Sequence, residues 1–388
     1  MQPPNLILQS KYGCWICAGT AFASKLEACK FSATNGNADV KFYYHNHIWE
    51  SFDKTLLGKV PLCDLYLERA QQLRDKYDHL VLHYSGGADS HNILHTFLSN
   101  NIKLDEICVK WAKPLVDGKF YTPNTLDKSA RNAASEWDFV IKPVLDKLAC
   151  THPGIKITIV DFMDSHEMGH NVSFSENRII EMNASRGALG TYMLRMNPNV
   201  EDAMGKKHAG HIFGIEKPLL LLIDDRIYFQ FADTSLEPAI MIRGQNENSV
   251  ELFYWTPDLP LLPMEQAYQS ALFIDRYVKE RSSVLSAPGS GLPTSPAFVM
   301  QSKIHKAVLY ADSWDESTFQ VGKPNPDRSD WYHWIHETPE LCDLVSAWKI
   351  AMNNVTSGIH RDKLIHHNGV SLLAISTTRP FHILSLTK

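Results

Sequence analysis

The stretch YDHLVLHYSGGADSHNIL, residues 77–94, sets two glycines and three small polar residues between an apolar run and an amphipathic run. That spacing suits a turn gripping a string of phosphates. The first backbone N–H groups of a helix have no intrahelical partner, and the helix dipole adds partial positive charge there. Gly86 and Gly87 let the backbone approach an anion closely, and Ser85 and Ser90 add hydroxyl donors, so the turn reads as an anion cradle. Asp89 would repel phosphate by itself. It fits such a cradle if Mg²⁺ lies between its carboxylate and the phosphate oxygens.

A cradle of this kind needs a strand before it and a helix after it. HLVLHY (79–84) reads as a buried strand, and 90–99 as a helix with Ile93, Leu94, Phe97 and Leu98 inward. Upstream, 62–77 reads as a helix with Leu62, Tyr66, Leu73 and Tyr77 on one face and charges opposite. Downstream, strands are expected at 105–112, 155–162 and 211–215. Helices are expected at 126–141, ended or kinked by Pro143, and at 175–196. Strands alternating with helices imply a parallel sheet. A hairpin turning at Asp224-Asp225 follows, then helices at 264–285 and 339–354, a Pro/Gly/Ser connector at 286–296 and a terminal strand pair. The expected organisation is α/β. An accessory region (1–78) precedes a nucleotide-binding domain (79–235), and a mainly helical subdomain (236–388) follows.

Ser85, Gly86, Gly87, Asp89 and Ser90 complete the pattern S-G-G-x-D-S. The turn resembles the PP-loop of the ATP pyrophosphatase superfamily, and lacks the Walker and dinucleotide glycine patterns. The resemblance covers about 79–235, with a general likeness elsewhere to asparagine-synthetase-like proteins of the kind that large bacteriophages encode. It implies a HUP-like parallel-sheet domain that splits ATP between the α and β phosphates. AMP would pass to an acceptor oxygen, and a nitrogen or sulfur nucleophile would then displace it. By this resemblance Ser85, Gly86, Gly87 and Ser90 would bind pyrophosphate, and Asp89 would hold Mg²⁺. The adenine would pack around Val109 to Ala112, with Val109 and Lys110 in the nucleotide site. Asparagine synthetases carry a second acidic motif after a later strand. FGIEKP (213–218) offers only Glu216, as acid or base, and Lys217, as a phosphate neutraliser. The missing acidic pair puts asparagine synthesis itself in question, and an exposed charged turn is the plainer reading of that stretch.

Two further scaffold readings stay open: a sulfur-transfer or adenylyl-sulfate-type enzyme, and a non-catalytic nucleotide-binding protein. The acceptor is open among amino acid, nucleotide, peptide and modified base in nucleic acid. A formal charge of -5 leans towards a small molecule with an amine co-substrate. The N-terminal sequence has Gln2 where glutamine-using asparagine synthetases carry a catalytic Cys, and no G-x-C-x-G elbow occurs, so glutamine hydrolysis is not expected. Seven cysteines in 388 residues argue against a disulfide scaffold. No signal peptide is evident, and the longest apolar run, PLLLLI at 218–223, is far below the about 20 residues of a membrane helix. A cytoplasmic protein is expected, with homo-oligomerisation left open.

CWIC (14–17) with Cys29 and HNH (45–47) could build a zinc site, but at non-standard spacing, and buried packing is the commoner role for such cysteines. FYWTPDLPLL (253–262) and DWYHWIHE (330–337) could floor a pocket, and aromatic clusters of this kind more often form core or subunit contacts. HEMGH (166–170) fits the zincin H-E-x-x-H, yet Gly169 interrupts the required helix and no third ligand is apparent. Elemental analysis of protein purified without chelator should therefore give far less than one zinc per chain from this stretch. Stoichiometric zinc that disappears with His166→Ala and His170→Ala would overturn that expectation.

Overall fold

The structure is a computed structural model. It describes residues 11, 13–22, 25–36, 38–111, 136–161, 209–214, 219–223, 225–233, 250–276, 306–314 and 377–386. The N-terminal part forms strands β1 (Cys14–Cys17), β2 (Thr20–Phe22) and β3 (Val40–Tyr43), with helices α1 (Lys25–Thr34) and α2 (Asn46–Ser51). β1 is central in this antiparallel sheet, and α1 packs against it.

Helix α3 (Leu62–Lys76) leads into β4 (His79–His83), then α4 (Ala88–Ser99) and β5 (Glu106–Trp111). A π turn at Trp137–Ile141 runs directly into α5 (Lys142–Thr151) and on to β6 (Lys156–Asp161). The helix passes through Pro143 instead of ending there. Pro143 occupies the first turn of α5, where a missing N–H costs little, and the break expected there takes the form of the π turn. β7 (Ala209–Phe213) and β10 (Val250–Leu252) complete a five-stranded sheet. Its order is β10-β7-β4-β5-β6, and every pairing is parallel. The chain is thus a mixed α/β protein whose sheet is doubly wound. β4 and β7 are the neighbours between which the winding direction reverses. The last strand comes from beyond residue 235, so the sheet draws on chain from both sides of that position.

The hairpin forms as expected, from β8 (Leu219–Ile223) and β9 (Arg226–Gln230), and Asp225 takes φ 57 in its turn. β11 (Phe381–Ser385) adds to β9 antiparallel. Helix α6 (Leu261–Arg276) packs on α3 and β11. The expected helices at 175–196 and 339–354 lie outside the described residues, as does DWYHWIHE. One contiguous core joins these parts. Trp15, Phe42, Tyr44, Trp49, Phe231 and Trp255 belong to it, and the Tyr44 hydroxyl donates to the Trp255 carbonyl at 2.7 Å.

The face of α3 is wider than its apolar residues indicate. Arg69 is buried with Leu65, Tyr66, Ala70 and Leu73, because its guanidinium meets the buried Glu251 carboxylate of β10 at 2.8 Å. Lys11 at 3.0 Å, Lys76 at 2.8 Å and the Tyr77 hydroxyl at 2.6 Å complete the shell around Glu251. The Tyr77 ring reaches it by crossing β7 at Gly210, where a Cβ would stand 2.5 Å from a ring carbon. Burial opposes ionisation of Glu251, but Arg69 and Lys11 outweigh it and hold the carboxyl at about 2, below the ordinary 4.5.

A depressed folded-state value stabilises the fold fully above pH 4.5, and that contribution is lost as pH falls towards 2. It is worth roughly 3 kcal/mol at about 1.4 kcal/mol per unit. Glu251→Gln should destabilise by about 3–5 kcal/mol at neutral pH, since it leaves Arg69 buried beside a neutral group. Urea denaturation across pH should show that penalty shrinking as the medium is acidified. A constant difference down to pH 2 would refute the assignment.

Candidate functional site

Where the winding of an open α/β sheet reverses, a crevice opens beyond the carboxyl ends of the two strands. Ser85–Gly87 leaves the carboxyl end of β4 there, and Gly214 leaves β7 beside it. Gly214 allows the close approach: a Cβ on it would lie 3.0 Å from the Ser90 nitrogen and from the Asp89 carbonyl carbon. The first turn of α4 is therefore seated against the end of β7.

The turn is closed by its own hydroxyls. Ser90 Oγ donates to the Gly87 carbonyl at 3.0 Å and accepts from the Ser85 N–H at 3.2 Å. Ser85 Oγ accepts from the Gly87 N–H at 3.4 Å and lies 3.2 Å from Ser90 Oγ. Since the Ser90 proton goes to Gly87, the Ser85 proton is the one that links the two hydroxyls. Ser90 is buried and staples the turn from within, whereas Ser85 is exposed and Gly87 half-buried. Gly86 takes φ 75 and is buried, with a built Cβ falling 2.6 Å from Ile141 Cγ1. The π turn thus backs the loop from below, which gives Gly86 a packing reason in addition to any ligand.

Asp89 is half-buried, and its carboxylate is not loose. The Tyr310 hydroxyl donates to Asp89 Oδ1 at 2.6 Å, and the Tyr254 hydroxyl donates to the Asp89 carbonyl at 2.7 Å. Asn92 Nδ2 donates to Tyr254 at 3.1 Å, and Ser313 donates to Asn92 Oδ1 at 2.8 Å. On the other side of α4 the Tyr84 hydroxyl faces His91 Nδ1 at 3.1 Å. Burial, then His95 and Lys147, push His91 down to about 4, while burial and Glu136 raise Tyr84. At neutral pH His91 is therefore a neutral imidazole and Tyr84 a neutral phenol.

No family model matches the chain, and no curated protein matches it.

Among the sequence-derived site residues, the structure brings together Ser85, Gly86, Gly87, Asp89 and Ser90 at one turn. Val109 lies on the adjacent β5 but is closed into the core, and Lys110 is the next residue of that strand, paired with Val160. Glu216, Lys217, His166 and His170 lie outside the described residues. Cys14, Cys17 and Cys29 are core residues, and burial pushes the Cys14 thiol up to about 11. Among the described residues no group of three or more His, Cys, Asp or Glu side chains is arranged to hold a metal ion. The donor set at the turn is hard oxygen, the kind Mg²⁺ takes. A single carboxylate suffices where water and phosphate oxygens supply the other ligands. Tyr254 and Tyr310 were not visible as site residues in the sequence. They stand 165 and 221 positions from Asp89. Only the aromatic run at 253–255 marked one of them, and Phe253, Tyr254 and Trp255 are all buried core.

Gly86→Ala should destabilise by about 2 kcal/mol or more, combining the left-handed backbone cost with the clash against Ile141. In an Ile141→Ala background the same change should cost less in a denaturation experiment, because the clash is gone and only the backbone cost remains. Full additivity of the two penalties would contradict the contact.

Proposed function

We propose that the chain is an AMP-forming ATP-dependent ligase. It binds ATP with Mg²⁺ at the Ser85–Ser90 turn, adenylates an acceptor oxygen with release of pyrophosphate, and passes the acceptor to a nitrogen nucleophile. The observation that carries this reading is the location of S-G-G-x-D-S, a turn resembling the PP-loop, at the winding reversal of the parallel sheet. Exposed Ser85 and the amides of the first turn of α4 would meet phosphate oxygens. Mg²⁺ bound through Asp89 would neutralise charge on the phosphates. Glu216 and Lys217, just beyond Gly214 in the chain, are the proposed acid/base and charge-neutralising groups. No helix among the described residues is long and apolar enough to cross a membrane.

Product chromatography with ATP, magnesium, candidate acceptors and simple amines should show AMP and pyrophosphate. ADP and phosphate as the sole products would rule the proposal out. Asp89→Asn should lower turnover roughly 100-fold while changing nucleotide affinity far less, because a charge is removed and the shape is kept.

A further inference from the structure

We propose that Tyr310 is a positioning residue for the Asp89 carboxylate, setting the orientation in which it takes Mg²⁺; this rests on the nucleotide-binding reading of the turn. The geometry is specific. Residues 306–314 lie across the first turn of α4, anchored by the Tyr66 hydroxyl on the Leu309 carbonyl at 2.8 Å and by Ser313 on Asn92. Gln266 in turn donates to Tyr66 at 3.2 Å, so the anchor is itself held. Three phenol rings cluster at Asp89, with Tyr254 and Tyr310 tilted at 5.6 Å and Tyr66 and Tyr254 edge-on at 5.7 Å between centroids.

The neighbouring phenols divide the work. The Tyr254 proton is committed to the main-chain carbonyl of Asp89, and the Tyr310 proton to one carboxylate oxygen. An ionised carboxylate offers only acceptors, so at 2.6 Å the Tyr310 hydroxyl is the donor to it. A donor fixed on Oδ1 sets the χ2 rotation of the carboxyl group and so the direction of Oδ2. Held carboxylates bind metal better than free ones. Loss of an outer hydrogen bond of this kind typically costs roughly 10- to 100-fold in metal affinity or activity. Nothing in a purely structural role requires the contact to be with the carboxylate instead of the helix backbone, which Tyr254 already holds.

The test uses the full chain and α,β-methylene-ATP, which binds without being split at the α–β position. Calorimetric binding of this analogue is followed as Mg²⁺ is titrated, for wild type, Tyr310→Phe and Tyr66→Phe. Tyr66→Phe removes a buried hydroxyl from the same cluster without touching Asp89. Tyr310→Phe should raise the half-saturating Mg²⁺ concentration roughly 10-fold or more, with metal-free affinity for the analogue kept. Tyr66→Phe keeps the Tyr310 hydroxyl but loosens the segment that carries it, so it should lower the denaturation midpoint and move the half-saturating Mg²⁺ concentration clearly less than Tyr310→Phe does. No shift in Tyr310→Phe, or an equal shift in Tyr66→Phe, overturns the positioning role alone. A wild-type chain whose analogue binding ignores Mg²⁺ overturns this role and the functional reading together.

Discussion

The Glu251 carboxylate is 1% exposed, and its burial constrains everything built around it. A charge so deep must be surrounded by donors or become neutral. Its four partners come from three places: Lys11 from the N-terminal segment, Arg69 and Lys76 from α3, and Tyr77 from the entry to β4. Meeting them fixes α3 on the sheet, fixes the N-terminal segment on β10 and demands a glycine at 210 for the tyrosine to pass. β10 has three residues, Val250–Leu252, at the short end of the strand range, so the Glu251 cluster adds to its few ladder hydrogen bonds. With Glu251 anchored, the chain continues beside Phe213 and delivers Tyr254 to Asp89. The candidate site is thus steadied through Tyr254 by an ion cluster on β10.

The two ends of the parallel sheet are built from different materials. At the amino end, Asp105 meets Arg74 at 2.6 Å and Lys103 at 2.6 Å, and Glu106 meets Thr158 at 2.6 Å and Lys156 at 3.1 Å. Burial resists these charges, and the surrounding donors prevail, holding Asp105 at about 2 and lowering Glu106. These acids are saturated with partners and serve stability. At the carboxyl end of β4 the described residues instead present glycines, serines and the half-buried Asp89, which accepts from the Tyr310 hydroxyl. Such a surface has donors to offer an anion and little opposite charge already satisfied.

Periodicity and punctuation made the main elements legible. The strands around 79–84, 105–112 and 155–162, the helices beginning near 62 and 88, and the hairpin at Asp225 all follow local patterns of burial and turn chemistry. The turn itself was legible because its residue types are unusual for a plain loop. What local pattern could not supply is whatever depends on distant partners. Arg69 reads as a surface charge until Glu251 appears 182 positions later. Gly86 reads as a phosphate-facing glycine until Ile141 is seen beneath it. The hydroxyl of Ser90 reads as a ligand donor, and its burial shows that it closes the turn. Tyr310 carries no local signal at all, since an isolated tyrosine in a short helical stretch resembles any other core residue.

The closed ring of Ser85, Gly87 and Ser90 has a thermodynamic consequence. A glycine-rich turn would ordinarily surrender much conformational freedom on gripping a ligand. Here that freedom is lost during folding, so if the turn binds phosphate as proposed it would meet its ligand in nearly its final shape. Ordering the loop then subtracts little from affinity, so the strength of binding reflects the exchange of water for protein donors around the anion. Under the proposed function, the heat of binding would accordingly report on solvation of the phosphates and carry little contribution from the backbone.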